Sequence, residues 1–308
     1  MSLSHLLRHP FTSILIYAPF WVCGCSKTQE ASEASPVAAS ASAAPSAGAA
    51  SGSDVAVKAG IPIPRERVLD QVNRDRLPVY AGKTGTVRGF VVATGDPAPE
   101  AAEFVATIPD KCPLARELYS TLFREGMNRA LADVFVSVTG YEGYIPAKNE
   151  RVLVEARGCT WQTRTIGVMY GQRLEVIAAD MTTYAPKLVG AQMPAQMFVM
   201  PRGEPVALYP NQPGRYLLVD SSHPFSSAEV LVVKYPTFDV TGLDGRFEIT
   251  GVPPGKLTLG AVLPAIRQAV EQPVEVVADE VTEVRIRIPF DASLVAPASG
   301  AKPMGSAP

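Results

Sequence analysis

Few residues in this chain are equipped for acid-base, metal or thiol chemistry: it carries three histidines and four cysteines in 308 residues. His223 follows Asp220, Ser221 and Ser222, which invites a Ser-His-Asp reading. Catalytic triads draw their members from separated segments so that the side chains converge, and residues this close in sequence rarely can. A surface histidine before a proline turn, or a loop contact, is the stronger reading of His223. Met193, Met197 and Met200 fall within eight residues, and thioethers bind Cu(I), so a site built from them and His223 is conceivable. Methionine more often fills irregular apolar space, and this run reads as a loop entering a buried strand. No phosphate loop, dinucleotide fingerprint, zinc spacing or nucleophile elbow is present, which points away from an enzyme. The spacing of Asp and Glu picks out no catalytic pair.

The N-terminus sets the location. Arg8, an apolar stretch from Phe11 to Val22, and Val22-Cys23-Gly24-Cys25 resemble a bacterial lipobox. The apolar stretch is short of the roughly 20 residues needed to span a bilayer. A plain secretory signal and an uncleaved anchor are the competing readings. Cleavage after Gly24 leaves a lipid on Cys25, and acyl chains contribute about 0.8 kcal/mol per buried methylene, so detachment is very slow. Ser26 after the cysteine resembles lipoproteins sorted to the outer membrane, on its periplasmic face or the cell surface. The cut removes His5, His9 and Cys23, so His223 is the one remaining histidine and Cys112 and Cys159 the two unmodified cysteines. Two cysteines in an exported chain read most economically as a disulfide, against two buried thiols. The closed loop contributes about 4 kcal/mol in the chain-entropy model.

Loss of Arg8 leaves 27 basic against 30 acidic residues, which gives nucleic acid no foothold. Residues 1–24 are the leader, and 25–82 an Ala/Ser-rich tether and lead-in, too poor in apolar bulk up to about Gly60 to fold. A flexible chain of about 35 residues reaches on the order of 30–35 Å. Residues 291–308 have a similar composition and form a free tail.

The elements between are an all-β pattern: short β-branched runs separated by Gly, Pro, Asn and Asp. Strands are expected at Thr86–Ala93, Asp133–Val138, Arg151–Ala156, Arg173–Ala178, Gln196–Met200, Arg215–Asp220, Glu229–Lys234, Arg246–Thr250, Lys256–Val262, Val274–Val277 and Glu283–Ile288. In the last, Val284, Ile286 and Ile288 face the core while Arg285 and Arg287 face water. Leu114, Leu118 and Leu122 predict a short helix within Leu114–Leu131. Asp244-Gly245 suits a primed turn with positive φ at both residues and hence a tight hairpin, and Pro253-Pro254-Gly255 a second turn.

The run Phe238 to Gly260, with Thr241, Asp244-Gly245, Phe247, Ile249 and Val252-Pro253-Pro254-Gly255, resembles the transthyretin-like carboxypeptidase regulatory domain, over about fifty residues to Ile288. Gly85-Thr-Val-Arg-Gly89, Cys112, Gly158-Cys159-Thr160-Trp161, Gly171 to Val176, Asp220 and His223-Pro224-Phe225 resemble a periplasmic cupredoxin-like family fused to that module. The resemblance implies a cupredoxin-like sandwich over 83–235 and a smaller transthyretin-like sandwich over 236–290. It also implies a degenerate copper site: Tyr184 stands where an imidazole follows the Asp, Val219 for the thiolate and Ser226 for the thioether, and His223 alone survives. A blue-copper centre needs two imidazoles and a thiolate. No cofactor is expected. The protein is therefore expected to be a non-catalytic, lipid-anchored binder or scaffold with a protein or glycan partner. Sugar stacking on Tyr184, Tyr209, Tyr216 and Tyr235 is the second reading, and methionine-based Cu(I) handling the third.

Overall fold

The computed structural model describes residues 57–58, 62–193 and 195–294. Residues 1–24, Cys25, most of the tether and nearly all of the tail lie outside the described residues. Among the described residues no helix is long and apolar enough to cross a membrane.

Strand β1 (Val57–Lys58) opens the described residues and, inside the stretch up to Gly60 expected not to fold, pairs with Val206 and Ala207; helix α1 (Arg65–Val72) follows in the lead-in. Ile63, Val68 and Val72 rest on the core of the first sandwich, and this anchors the helix. Next come β2 (Gly85–Gly95), α2 (Ala102–Ala106), α3 (Pro113–Leu118) and β3 (Phe135–Thr139). A run of eight strands follows: β4 (Arg151–Arg157), β5 (Thr160–Trp161), β6 (Thr165–Met169), β7 (Arg173–Ala178), β8 (Pro186–Val189), β9 (Val206–Leu208), β10 (Gly214–Asp220) and β11 (His223–Val233). The last five are β12 (Phe238–Val240), β13 (Arg246–Val252), β14 (Gly255–Leu263), β15 (Gln268–Val276) and β16 (Val281–Phe290).

These strands make two sandwiches. In the first, sheet β1-β9-β7-β4-β5 faces sheet β6-β11-β10-β8, with Trp161, Leu174, Tyr184, Leu188 and Leu218 in the core. In the second, sheet β12-β3-β14-β15 faces sheet β13-β2-β16 around Val87, Val136, Phe247, Leu259 and Ile286. The all-β class follows from the sequence pattern, but the strand pairing does not follow the boundary at 235/236. Strands β2 and β3, from the stretch assigned to the cupredoxin-like part, complete the second sandwich, and β2 lies between β13 and β16. Strands β4–β11 of the first sandwich are thus inserted between β3 and β12, while β1 and α1 join that sandwich from ahead of β2.

Alternation in β16 is as expected: Ile286 and Ile288 are buried, Val284 packs against the same core, and Arg285 and Arg287 are exposed. Three other expectations are corrected. Gln196–Met200 forms no strand: its one ladder contact is the isolated bridge from Val199 to Tyr184, and Phe198 and Met200 stay exposed. The helix expected over Leu114–Leu131 is confined to Pro113–Leu118. The carbonyls of Leu118, Thr121 and Leu122 accept from the Arg164 guanidinium at 2.5, 2.9 and 2.9 Å, which leaves them unavailable to a continuing helix. Asp244-Gly245 does not make a hairpin: β12 and β13 lie in different sheets, and the turn carries the chain across the sandwich. Only Gly245 has positive φ (69°), and its N–H donates to Gly242 O at 2.9 Å. A Cβ there would meet Val91 O at 2.6 Å, so glycine is needed for the approach to β2. Pro253-Pro254 likewise leads from β13 to β14 in the facing sheet.

Candidate functional site: the end of the first sandwich

The four positions aligned with copper ligands gather at one end of the first sandwich, around the β10–β11 connection. The connection is a two-residue turn, Ser221-Ser222, with Asp220 paired to His223. Val219 pairs with Ser227, so Pro224, Phe225 and Ser226 bulge out of the ladder. Tyr119 fills the resulting gap: its hydroxyl accepts from Ser227 N and donates to Ser227 O, both at 2.8 Å. Ser226 is fully buried and its hydroxyl donates to Thr160 Oγ1 at 3.3 Å. Cys112 and Cys159 form a disulfide with Cα atoms 5.6 Å apart, which fastens the start of α3 to the β4–β5 turn beside this network.

Two carboxylates organise the remainder. Asp220, whose side chain is fully buried, accepts from Ala185 N at 2.8 Å and Ser222 N at 2.9 Å, and its Oδ2 lies 2.6 Å from His223 Nδ1. Asp180 accepts from Gly158 N at 2.7 Å, Thr182 N at 3.0 Å and the Tyr184 hydroxyl at 3.0 Å. Burial alone would raise the Asp180 carboxyl, but these donors outweigh it and hold it below the usual carboxylate range. Burial, then the bond to Asp180, pushes the Tyr184 phenol well above its ordinary value. That phenol also accepts from Cys159 N at 3.3 Å. The His223 ring is 5.5 Å from Tyr184 and 5.9 Å from Phe225, centroid to centroid.

This donor set does not fit type-1 copper. Tyr184 offers a protonated phenol already bonded to Asp180, Val219 has no donor atom, and the Ser226 hydroxyl is committed to Thr160. The thioethers do not share one set of partners with His223. Met193 Sδ accepts from Leu188 N at 3.2 Å, Met197 packs on the core, and exposed Met200 is 3.8 Å from Thr183 Oγ1. Among the described residues no group of three or more His, Cys, Asp and Glu is arranged to hold a metal ion. Ser221 Oγ lies 3.5 Å from Gln196 Oε1, so its near neighbour is an amide. Sugar stacking on two of the four tyrosines is also corrected. Tyr184 and Tyr216 are buried, and the Tyr216 hydroxyl is held by Asn211 and Gln212. Tyr209 and Tyr235 are half-buried.

A second polar cluster, which no spacing signals, lies at the seam between the sandwiches. Asp133 is buried and takes both oxygens to Arg124, at 2.6 and 2.7 Å. Its Oδ1 also accepts from Thr163 Oγ1 and Arg164 N, each at 2.9 Å. Burial lowers the Arg164 pKa and the Asp133 charge opposes the shift. The guanidinium also lies 4.9 Å from the centroid of the Tyr119 ring. Its members come from three separated segments, and only their assembled positions identify them.

No protein-family model and no curated protein matches the chain. Among solved structures it is similar to an amicyanin mutant in its reduced state, at 14% identity and a TM-score of 0.24, over 32% of this chain and 97% of that one. Amicyanin from Paracoccus versutus gives 17% identity and a TM-score of 0.24 over 32% and 96%. The Cu-containing nitrite reductase of Thermus scotoductus SA-01 gives 17% and 0.24 over 31% of this chain and 25% of that one. Cupredoxins are thus what this chain is similar to, at a likeness that takes in about a third of its length.

Proposed function

We propose that this is a non-catalytic binding or scaffold protein of the bacterial cell envelope, held there by a lipid on Cys25. In this reading its cupredoxin-like sandwich carries no copper and sits within a transthyretin-like one. The observation that supports it is the fate of the four ligand positions: a bonded phenol, an aliphatic strand residue, one histidine tied to Asp220 and a buried hydroxyl. Each is committed to closing the end of a sheet, which is what a retained fold with a discarded metal function requires.

Titration with Cu(II), and with Cu(I) under reducing conditions, tests it on the purified chain. Neither ion is expected to bind stoichiometrically. A blue absorption near 600 nm overturns the reading, as does tight Cu(I) binding lost on M193L or M200L. The anchor is tested separately, by incorporation of radiolabelled palmitate that C25A abolishes.

A further inference from the structure

Residues 188–201 carry no charged side chain. Several of them are committed inward: Met193 Sδ accepts from Leu188 N, Met197 packs on the core, and Val199 exchanges two backbone hydrogen bonds with Tyr184, at 2.8 and 3.1 Å. Alternation along an extended segment then turns Phe198 and Met200 to the opposite side, where they are 56% and 53% exposed. Met200 Sδ lies 3.8 Å from Thr183 Oγ1, and Met181, 73% exposed, stands two residues before that threonine. Three large apolar side chains are thus presented to the outside at one end of the first sandwich. Lys187 and Arg202, both exposed, flank the uncharged run, with Glu204 beyond them. An exposed apolar cluster rimmed by polar residues marks a contact surface.

The path of the chain names the surface. Strand β1 runs parallel to β9, with Val57 opposite Val206, and β9 begins where the connection bearing Phe198 and Met200 ends. Strand β7 runs the other way beside β9 and ends at Ala178, just before Met181. The chain therefore enters β1 from the end of the sandwich that carries all three side chains. Residues 26–56 separate that entry from Cys25, and a chain of this length and Ala/Ser-rich composition spans on the order of 30 Å. A lipid on Cys25 keeps the patch near the bilayer at high effective concentration, so a few apolar side chains suffice for contact. The two carboxylates of this end, Asp180 and Asp220, are taken up by backbone N–H donors, while Lys187 and Arg202 favour anionic headgroups. We propose that this end of the first sandwich rests on the bilayer that holds the lipid, with Phe198, Met200 and Met181 entering the boundary between headgroups and acyl chains. The proposal rests on the lipid-anchored reading of the chain and gives it an orientation.

The chain has two tryptophans, Trp21 in the leader and Trp161, which has no exposed surface. Once the leader is removed, F198W adds a single outward indole and replaces one exposed aromatic side chain by another. The processed lipoprotein is reconstituted into phosphatidylcholine–phosphatidylglycerol vesicles whose acyl chains carry bromine, a quencher of indole fluorescence. The fractional quenching of F198W should be at least twice that of the parent, which reports Trp161 alone. M181S/M200S in the F198W background should halve the excess or more, and K187E/R202E should reduce it a few-fold. Quenching of F198W equal to that of the parent overturns the proposal. The same measurements on a chain starting at Ser26, with a hexahistidine tag bound to nickel-chelating lipid in place of the acyl anchor, separate the two claims. If the native chain takes up no palmitate, the anchor reading fails by itself, and the tagged chain still decides whether this end meets lipid.

Discussion

The two sandwiches treat acidic side chains in opposite ways. The first takes them inward: Asp220 and Glu175 are buried, and Asp180 is closed over by two backbone N–H groups and a phenol. The second keeps most of them on its faces, where Glu283 pairs with Arg88 at 2.8 Å and Asp279 with Lys83 at 2.5 Å, all well exposed, and half-buried Asp239, which accepts from Val240 N and Glu248 N, is its exception. The difference follows from how the sheets end. The strands of the second sandwich are long and their backbone groups pair with neighbouring strands. The first ends in bulges and irregular connections, where Asp180 and Asp220 replace missing carbonyl acceptors, while Glu175, inside β7, is held by Arg151 and Arg173. Asp133 sits where the two arrangements meet.

Four measurements break or sharpen that contrast. D133A strands Arg124 and Arg164 at the seam and should cost about 3–5 kcal/mol. Calorimetry should then resolve two transitions where the parent shows one; a single unshifted transition would mean that the sandwiches are coupled by something else. Replacing Cys112 and Cys159 by alanine should lower stability to denaturant by up to about 4 kcal/mol.

Y184F should cost about 1–3 kcal/mol, because Asp180 loses one donor and Cys159 N its acceptor. It also carries a pH signature. A carboxyl held below its unfolded value near 4 stabilises the fold fully above that pH, and the gain fades as pH falls through the folded value. Losing the phenol raises that folded value, so acid unfolding of Y184F should begin at higher pH than in the parent, and the shift should vanish in the D180N background. The smallest effect belongs to the second sandwich: R88A removes an exposed ion pair and should change stability by less than about 1 kcal/mol. A larger loss would show that the outward charges also hold the fold.

Legibility in the sequence follows the same division. Alternation in β16 is readable because one face meets solvent and the other a core, so Arg285 and Arg287 mark the outside directly. The Met and Phe residues of 196–200 mimic a buried strand, yet only Val199 is buried. At Asp244-Gly245 the dipeptide reports a turn but not which sheet each arm joins, and it spans two. Cys112 and Cys159 are readable as a pair because the other two cysteines, Cys23 and Cys25, sit together in the lipobox-like run. The seam is not readable, since Arg124, Asp133 and Arg164 are brought together by strand pairing over long separations.

The central place of β2 has a consequence for the order of assembly. Its residues, 85–95, are synthesised early, yet both neighbours, 246–252 and 281–290, arrive at the end of the chain. Until then an eleven-residue strand with Val87, Val91 and Val92 on it waits with two unpaired edges, while the inserted sandwich can already close on itself. A nascent chain stalled anywhere before 281 therefore displays an open edge, and cutting the gene at 235 yields two fragments of which neither owns a complete second sandwich.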